Sequence, residues 1–331
     1  MNNCSRFGNL HSNSISLIRK STMNIGNQFS RLMKQAVVSW FNLLPATLIK
    51  KILGVLSVNY ALQDKWQFYI RPVHYYEPLP DFSTITKEQI LRRRIPSSID
   101  WQLKSMLELV EKLSKYRGEF ENYDFQGQFY GLDAASYYAL LRYLKPSKVI
   151  EIGAGTSTQI ASVALAQNQL EGKMGKIICI EPYPQPMLTD GSLDIELITD
   201  KLENIDISLF SGLDADDVLF IDSSHTVKFN SDVCKEFLEI LPLLSRGVYI
   251  HIHDIFIPYD YPERFLLEWR FAWNEQYMLE AFLAYNSDFE VILANHWLSV
   301  DYPEKMAEIW PEVLSWPTPY HNCSSFWIYK K

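Results

Sequence analysis

The chain has 331 residues, 47% of them hydrophobic and 21% charged, which excludes a disordered polymer and leaves room for one large α/β domain with additions or for two small ones. The net charge of −8 is uneven: residues 1–60 hold seven Lys or Arg and no Asp or Glu, leaving about −15 on the other 271. An acidic body disfavours a nucleic-acid substrate, and four scattered cysteines without CxxC spacing argue against a zinc knot or disulfide scaffold and suit a reducing cytoplasm.

Residues 1–30 are rich in Asn and Ser, show little periodicity and read as a flexible N-terminus with a faint likeness to an organellar transit peptide. In residues 31–60, Met33, Val37, Phe41 and Leu44 recur at helical spacing. Pro45 is placed to open a second helix, where Leu48, Ile52 and Leu56 continue the apolar stripe beside Lys50 and Lys51. The apolar run is too short for a membrane span. A basic amphipathic helix pair of this kind would pack on the protein's own body; peripheral contact with an anionic membrane surface is the alternative. Residues 61–100 are aromatic and proline-containing and read as irregular structure. Helices are expected over 100–118 and 132–144, from Leu103, Leu107, Val110 and Leu113 and from Tyr137, Leu140, Leu141 and Leu144.

From Lys148 the pattern alternates. Strands are predicted at 148–152, 176–180, 195–198, 217–222, 247–253, 289–294 and 325–330, and helices at 157–167, 231–243 and 273–285. Short apolar runs separated by helices mean a mainly parallel sheet covered on both faces. No helix is expected between the last two strands, which therefore read as an antiparallel pair at one edge.

The first strand ends in Glu151-Ile152-Gly153-Ala154-Gly155-Thr156-Ser157-Thr158. Glycine lets the backbone turn sharply and approach a ligand, Thr156, Ser157 or Thr158 is placed to cap the next helix, and the helix N-terminus offers free amides. The second strand ends in Glu181, suited to ribose hydroxyls. The fourth ends in Asp222-Ser223-Ser224-His225 and the fifth in His251-Ile252-His253-Asp254. Polar groups thus gather at successive strand ends, where a nucleotide-type cofactor binds in such sheets. A dinucleotide fingerprint wants a third small residue where Thr158 stands, and there is no second βαβαβ half. S-adenosylmethionine, which lacks the pyrophosphate, is therefore favoured over NAD, with Glu151, Gly153, Ala154, Gly155, Thr156, Ser157, Glu181, Asp222 and Ser223 as its expected binding residues.

Glu151-Ile152-Gly153-Ala154-Gly155 resembles the first motif of class I methyltransferases. The stretch 220–228, then Glu239-Ile240-Leu241-Pro242, 251–262, Trp273-Asn274-Glu275-Gln276-Tyr277 and Ser325-Phe326-Trp327-Ile328 resemble a bacterial subfamily of them, the methyltransferase-24 type. The resemblance covers roughly residues 70–331. It implies a Rossmann-like seven-stranded α/β sheet, mainly parallel with a reversed last strand and helices on both faces, but no known substrate. The chain then divides into the N-terminus 1–30, basic helices and a helical or irregular cap at 31–118, and a methyltransferase domain at 119–331.

Methyl transfer to oxygen requires the acceptor's proton to be removed or its charge stabilised. Two routes are open. His225 or His253 would act as general base, with Asp222 beside them. Alternatively a divalent metal ion would be held by Asp222, His253 and Asp254, a placement similar to catechol-type and sugar-type metal-dependent O-methyltransferases, with His253 replacing the first acid of their pair. The second histidine of strand five, His251, reads as a core residue. Strand alternation would put Asp254 on the face opposite His253 unless the strand has ended. Asn274 and Glu275 would either face the acceptor or cap a helix, and Tyr259, Tyr261, Trp269 and Trp273 would either wall the pocket or fill the core. The expected partner is a small-molecule or glycan acceptor, sugar-like or phenolic, methylated on oxygen in the cytoplasm, with membrane association through residues 31–60 as an option. N-methylation, a NAD-type oxidoreductase and a non-catalytic binding protein are the rival readings.

Overall fold

The computed structural model describes residues 35, 38–40, 42–94, 96–121, 123, 128–315 and 323–331. The expected flexible stretch 1–30, and Met33, Val37 and Phe41 of the expected first basic helix, lie outside them. The chain divides into two units, Met1–Pro80 and Asp81–Lys331. Among the described residues, no helix is long and apolar enough to cross a membrane.

In the first unit a helix spans Ala46–Ser57, with Pro45 immediately before it. A second helix, Tyr60–Trp66, is capped by Asn59, whose side chain accepts the Leu62 amide. Buried Gln63 joins the pieces: its Nε2 donates to the Leu56 carbonyl (2.8 Å) and its Oε1 accepts the Ile70 amide (2.8 Å).

The second unit is built on seven strands: β1 Lys148–Ile152, β2 Lys176–Ile180, β3 Glu196–Ile198, β4 Val218–Ile221, β5 Tyr249–Ile252, β6 Phe289–Ala294 and β7 Phe326–Lys330. Their order is β3-β2-β1-β4-β5-β7-β6. The first five run parallel, and β7 is antiparallel to both β5 and β6. This is the Rossmann-like α/β sheet with a reversed last strand. β1 lies between β2 and β4, so chain order reverses across β1 and β4, and the crevice at their carboxyl ends is the natural ligand site. All four residues of β4 are buried, as are the last four of β1; β4 reads as an unbroken apolar run, and β1 is apolar but for Glu151.

Flanking helices bury their apolar faces on this sheet. Leu103–Ser114 places Met106, Val110 and Leu113 in the core, and Gly131–Leu144 is buried along nearly its whole length. The helix predicted at 231–243 starts at Asp232, with Ser231 accepting the Cys234 amide as its cap, passes through a π-helical stretch Glu236–Ile240, and ends at Leu241–Leu243. A proline ring crowds the carbonyl four residues before it, and the wider π turn ahead of Pro242 relieves that clash.

One expectation is overturned. β6 and β7 form an antiparallel pair at one edge, but their connection is not free of helix: it carries Asn295–Asp301, Pro303–Met306 and a 3-10 turn at Pro311–Ser315. β7 therefore returns to pair between β5 and β6 instead of closing a hairpin. The first of these helices has only seven residues, too few to display a helical period in sequence. Its Trp297 and Leu298 are nonetheless buried against the core.

Candidate active site

The turn after β1 shows what each glycine is for. Gly153 has φ +78°, and a Cβ on it would lie 1.9 Å from the Asp222 carbonyl oxygen. The Gly153 amide donates to the Ile180 carbonyl (3.0 Å) and the Asp222 amide to Ile152 (2.8 Å), so this turn is pressed between the ends of β2 and β4. Gly153 is thus required by the fold itself. Gly155 differs: a Cβ there would meet no heavy atom of the described residues within 4 Å. Gly155 is also the N-cap of the helix Thr156–Leu170, which corrects the expected capping by Thr156, Ser157 or Thr158. Thr158 instead accepts the Gly155 amide from within the first turn (3.1 Å).

Glu151 does not reach the crevice. Its side chain is fully buried and accepts hydrogen bonds from Tyr137 Oη (3.0 Å) and Thr158 Oγ1, with Cys179 Sγ at 3.7 Å. Burial pushes its carboxyl up to about 7, against the lowering effect of these donors. Glu151 is one residue before the end of β1, so the pleat turns it toward the helix Gly131–Leu144 rather than the strand tip. Its side chain, expected at the cofactor, braces the end of β1 against Tyr137 and Thr158. Ser157, also expected at the cofactor, is 4% exposed and likewise buried in the helix.

Four of the remaining cofactor-site candidates open on one crevice. Gly153, Glu181, Asp222 and Ser223 line a cavity of about 360 Å3, together with Tyr183 and Lys201, within the rough 300–1,000 Å3 range of small-ligand pockets. Glu181 is partly exposed at the tip of β2. Its carboxylate accepts the Tyr183 amide (2.7 Å) and lies 3.4 Å from the Ala154 amide. Ala154, Gly155 and Thr156 form the adjoining partly exposed turn. An acid at the tip of β2, an open glycine turn and a helix N-terminus fit the ribose and the polar tail of a nucleoside cofactor.

Beside this crevice Asp222, His225, His253 and Asp254 converge. The strand has ended before Asp254, whose φ of +55° departs from the alternation of β5 and brings its carboxylate back toward β4. His225 is also left-handed, at φ +57°. Two non-glycine residues in this sparsely populated region, facing each other, are held by their surroundings. His225 Nε2 lies 3.4 Å from Asp222 Oδ1 and 3.6 Å from Asp254 Oδ2. Its Nδ1 lies 2.8 Å from Oε2 of fully buried Glu275. The Asn274 and Glu275 amides both donate to the His225 carbonyl, and Asn274 Oδ1 accepts the Val227 amide (2.6 Å), so the start of the helix Glu275–Leu283 braces this loop.

His253 Nδ1 lies 3.4 Å from Asp222 and 3.9 Å from Asp254, and its Nε2 3.6 Å from Asp133. Asp133, in the first turn of Gly131–Leu144, also accepts the Ser324 and Ser325 amides (2.7 and 2.9 Å), and Ser324 Oγ donates to Asp254 (3.0 Å). Sequence reasoning missed Asp133 and Ser324; neither stands in a strand-end motif.

The charges are strongly coupled. Burial opposes charge on both His225 and His253, yet the surrounding carboxylates win and hold each imidazole protonated well above its ordinary value. The Asp222 carboxyl is correspondingly held far below the carboxylate range by the two histidines, despite its own desolvation. Behind them burial raises Glu236, whose charged form is further opposed by Glu275 and Asp232; Glu236 accepts from Ser223 Oγ (3.3 Å). His251 is a core histidine, stacked on Phe220 at 4.2 Å and bonded to Ser325 (2.7 Å), with burial pushing its pKa down.

Among the described residues, the group able to hold a metal ion is Asp222, His225 and Asp254, whose ligand atoms all lie within 4.8 Å of one another. His225 is the histidine of this group, while His253, the expected ligand, lies 3.4 and 3.9 Å from the same two carboxylates. Two ligands about 2.1 Å from a tetrahedral ion lie about 3.4 Å apart, close to the two His225–carboxylate separations. One imidazole and two carboxylates suit Mn, Fe or Zn at least as well as Mg.

The aromatic candidates separate. Tyr261 is buried in a small cluster with Phe256 and Phe265, and Tyr259 bonds Asp301 (2.9 Å). Trp273 packs partly buried against that same cluster, stacks on Phe271 at 4.5 Å and lies 4.3 Å from the His225 ring. Trp269 is half exposed and stacks on Phe265.

Residues 150–255 match the methyltransferase-24 family model, described as a methyltransferase domain. An uncharacterized protein of Archaeoglobus fulgidus is 29% identical over 163 residues, which cover 43% of this chain and 73% of that protein. Two solved structures resemble the chain weakly. The O-methyltransferase TomG of Streptomyces achromogenes, in complex with S-adenosylmethionine, is 16% identical over 60% of this chain and 82% of its own, at a TM-score of 0.36. A methyltransferase of Geobacter sulfurreducens is 15% identical over 71% and 90%, at 0.33. Such low identities and TM-scores leave the chemistry to the residues themselves.

Proposed function

We propose that this chain, whose residues 150–255 match a methyltransferase domain, takes S-adenosylmethionine as its methyl donor and methylates a hydroxyl oxygen of a small, ring-bearing acceptor with the help of a divalent cation. S-adenosylmethionine supplies a methyl group already activated on a sulfonium, so positioning carries much of the acceleration. What the protein adds is removal of the acceptor's proton and stabilisation of charge on its oxygen.

The observation that carries this reading is His225. Its Nε2 points between Asp222 and Asp254 while its Nδ1 is held by buried Glu275. A carboxylate on the far nitrogen is the arrangement that fixes the tautomer and orientation of a metal-ligating imidazole. Three carboxylates around one buried imidazole demand a positive charge, and a divalent cation satisfies that demand as a proton does. A cation there would lower the pKa of an adjacent hydroxyl. The alternative, a histidine general base, is disfavoured by the same charges, because the surrounding carboxylates raise both His225 and His253 well above their ordinary value. Trp273 beside His225 gives a flat wall on which a sugar or phenol ring can lie.

Calorimetry with S-adenosylhomocysteine and with NAD tests the donor; binding of NAD alone would overturn the reading. A screen of sugar and phenol acceptors with labelled S-adenosylmethionine, with and without Mn(II) after chelation, tests the rest. Full activity in chelator would remove the cation, and label on amine acceptors only would remove the oxygen.

A further inference from the structure

The first unit presents a surface that methyl transfer does not use. The helix Ala46–Ser57 is strongly apolar, yet among the described residues none of it is buried. Leu48, Ile52 and Leu53 are 44%, 45% and 42% exposed, and Val55 69%. At about 100° per residue, Leu48, Ile49, Ile52, Leu53, Val55 and Leu56 fall on one side. Thr47, Lys50, Lys51, Gly54 and Ser57 share the other. An apolar face left in water costs about 25 cal/mol per Å2 relative to burial, so such a face has a partner.

The charge pattern identifies that partner's chemistry. Residues 1–60 carry seven Lys or Arg and no acid, while the remaining chain is about −15. A basic, apolar-faced helix on an acidic protein complements a surface that is both anionic and apolar beneath. We propose that the Ala46–Ser57 helix lies in the interface of an anionic lipid bilayer, its apolar side chains among the acyl chains and Lys50 and Lys51 at the headgroups. Residues Trp66, Phe68 and Tyr69, each at least half exposed, extend the same unit with side chains that favour that boundary. Nucleic acid would use the lysines but leave the apolar face in water; a second copy of the chain would cover the apolar face but bring like charges together.

Flotation of the full-length chain on vesicles of phosphatidylcholine, alone or mixed with phosphatidylglycerol, tests this. The mixed vesicles should carry the protein and the neutral ones should not. A Lys50→Glu/Lys51→Glu variant should lose more than about tenfold in partitioning, and so should an Ile52→Ser/Val55→Ser variant. Unchanged S-adenosylhomocysteine affinity in both variants verifies that the second unit is intact. Equal partitioning of wild type and variants, or binding to neither vesicle, overturns the proposal. So does a concentration-dependent dimer that the Ile52→Ser/Val55→Ser change dissolves, or binding to DNA in preference to the anionic vesicles.

Discussion

His225 Nδ1 sits 2.8 Å from a carboxylate oxygen of Glu275, fifty residues further along the chain, and both side chains are buried. This pair aims His225 Nε2 at Asp222 and Asp254. Replacing Glu275 with Gln keeps the volume but removes the charge that orients the imidazole. Mn(II) affinity, followed by electron paramagnetic resonance, should fall about 10–100-fold, while S-adenosylhomocysteine affinity changes little. Unaltered Mn(II) affinity would show that Glu275 does not position the ligand.

The two histidines should separate. His225→Ala removes a ligand and should abolish measurable Mn(II) binding. His253→Ala removes a neighbour of Asp222 and should cost about 10–100-fold, leaving binding measurable. The reverse ranking in the same titration would return the site to Asp222, His253 and Asp254.

Gly153 and Gly155 should respond oppositely to alanine. At Gly153 the new Cβ meets the Asp222 carbonyl at 1.9 Å on a backbone with φ +78°, so Gly153→Ala should lose more than about 3 kcal/mol of stability. Gly155→Ala has open space before it and should hold its melting temperature within a few degrees. Its effect should appear in calorimetry as weaker S-adenosylhomocysteine binding, because the added methyl projects from the turn beside the cofactor crevice.

Glu151 makes stability depend on pH in a defined direction. Burial raises its folded-state pKa from 4.5 to about 7. A carboxyl whose pKa is higher folded than unfolded favours the native state fully below about 4.5, and that contribution is lost as pH rises through about 7. The loss amounts to about 3 kcal/mol at most. Glu151→Gln cannot ionise and should flatten this part of the profile in urea unfolding measured across that range. An unchanged profile would mean that Glu151 is already charged at pH 5.

Much of the frame was legible because parallel, doubly buried strands are short apolar runs with abrupt polar ends. β1, β2 and β6 coincide with their predicted bounds, and the others differ by one or two residues. The helix Asn295–Asp301 was not legible: its amphipathicity is spread over seven residues, and its burial comes from contacts with remote parts of the chain. The burial of Glu151 was not legible for a related reason. Its motif position is right for a strand end, but the pleat and the approach of Tyr137 turn its carboxyl into the core.

What the sequence by itself determined is the order of the elements and the polarity of their tips. Glu181, Asp222 and Asp254 stand where apolar runs stop, and that is a local property of composition and period. Only the tertiary structure decided which of those groups meet. His225 and Asp254 face each other because both adopt left-handed backbone at the ends of neighbouring strands, and His225 points inward because Glu275 arrives from a later helix. Left-handed backbone at non-glycine residues is disfavoured locally and persists only under the contacts of the folded state. No window of sequence around either residue contains those contacts, so which groups meet there could be read only in three dimensions.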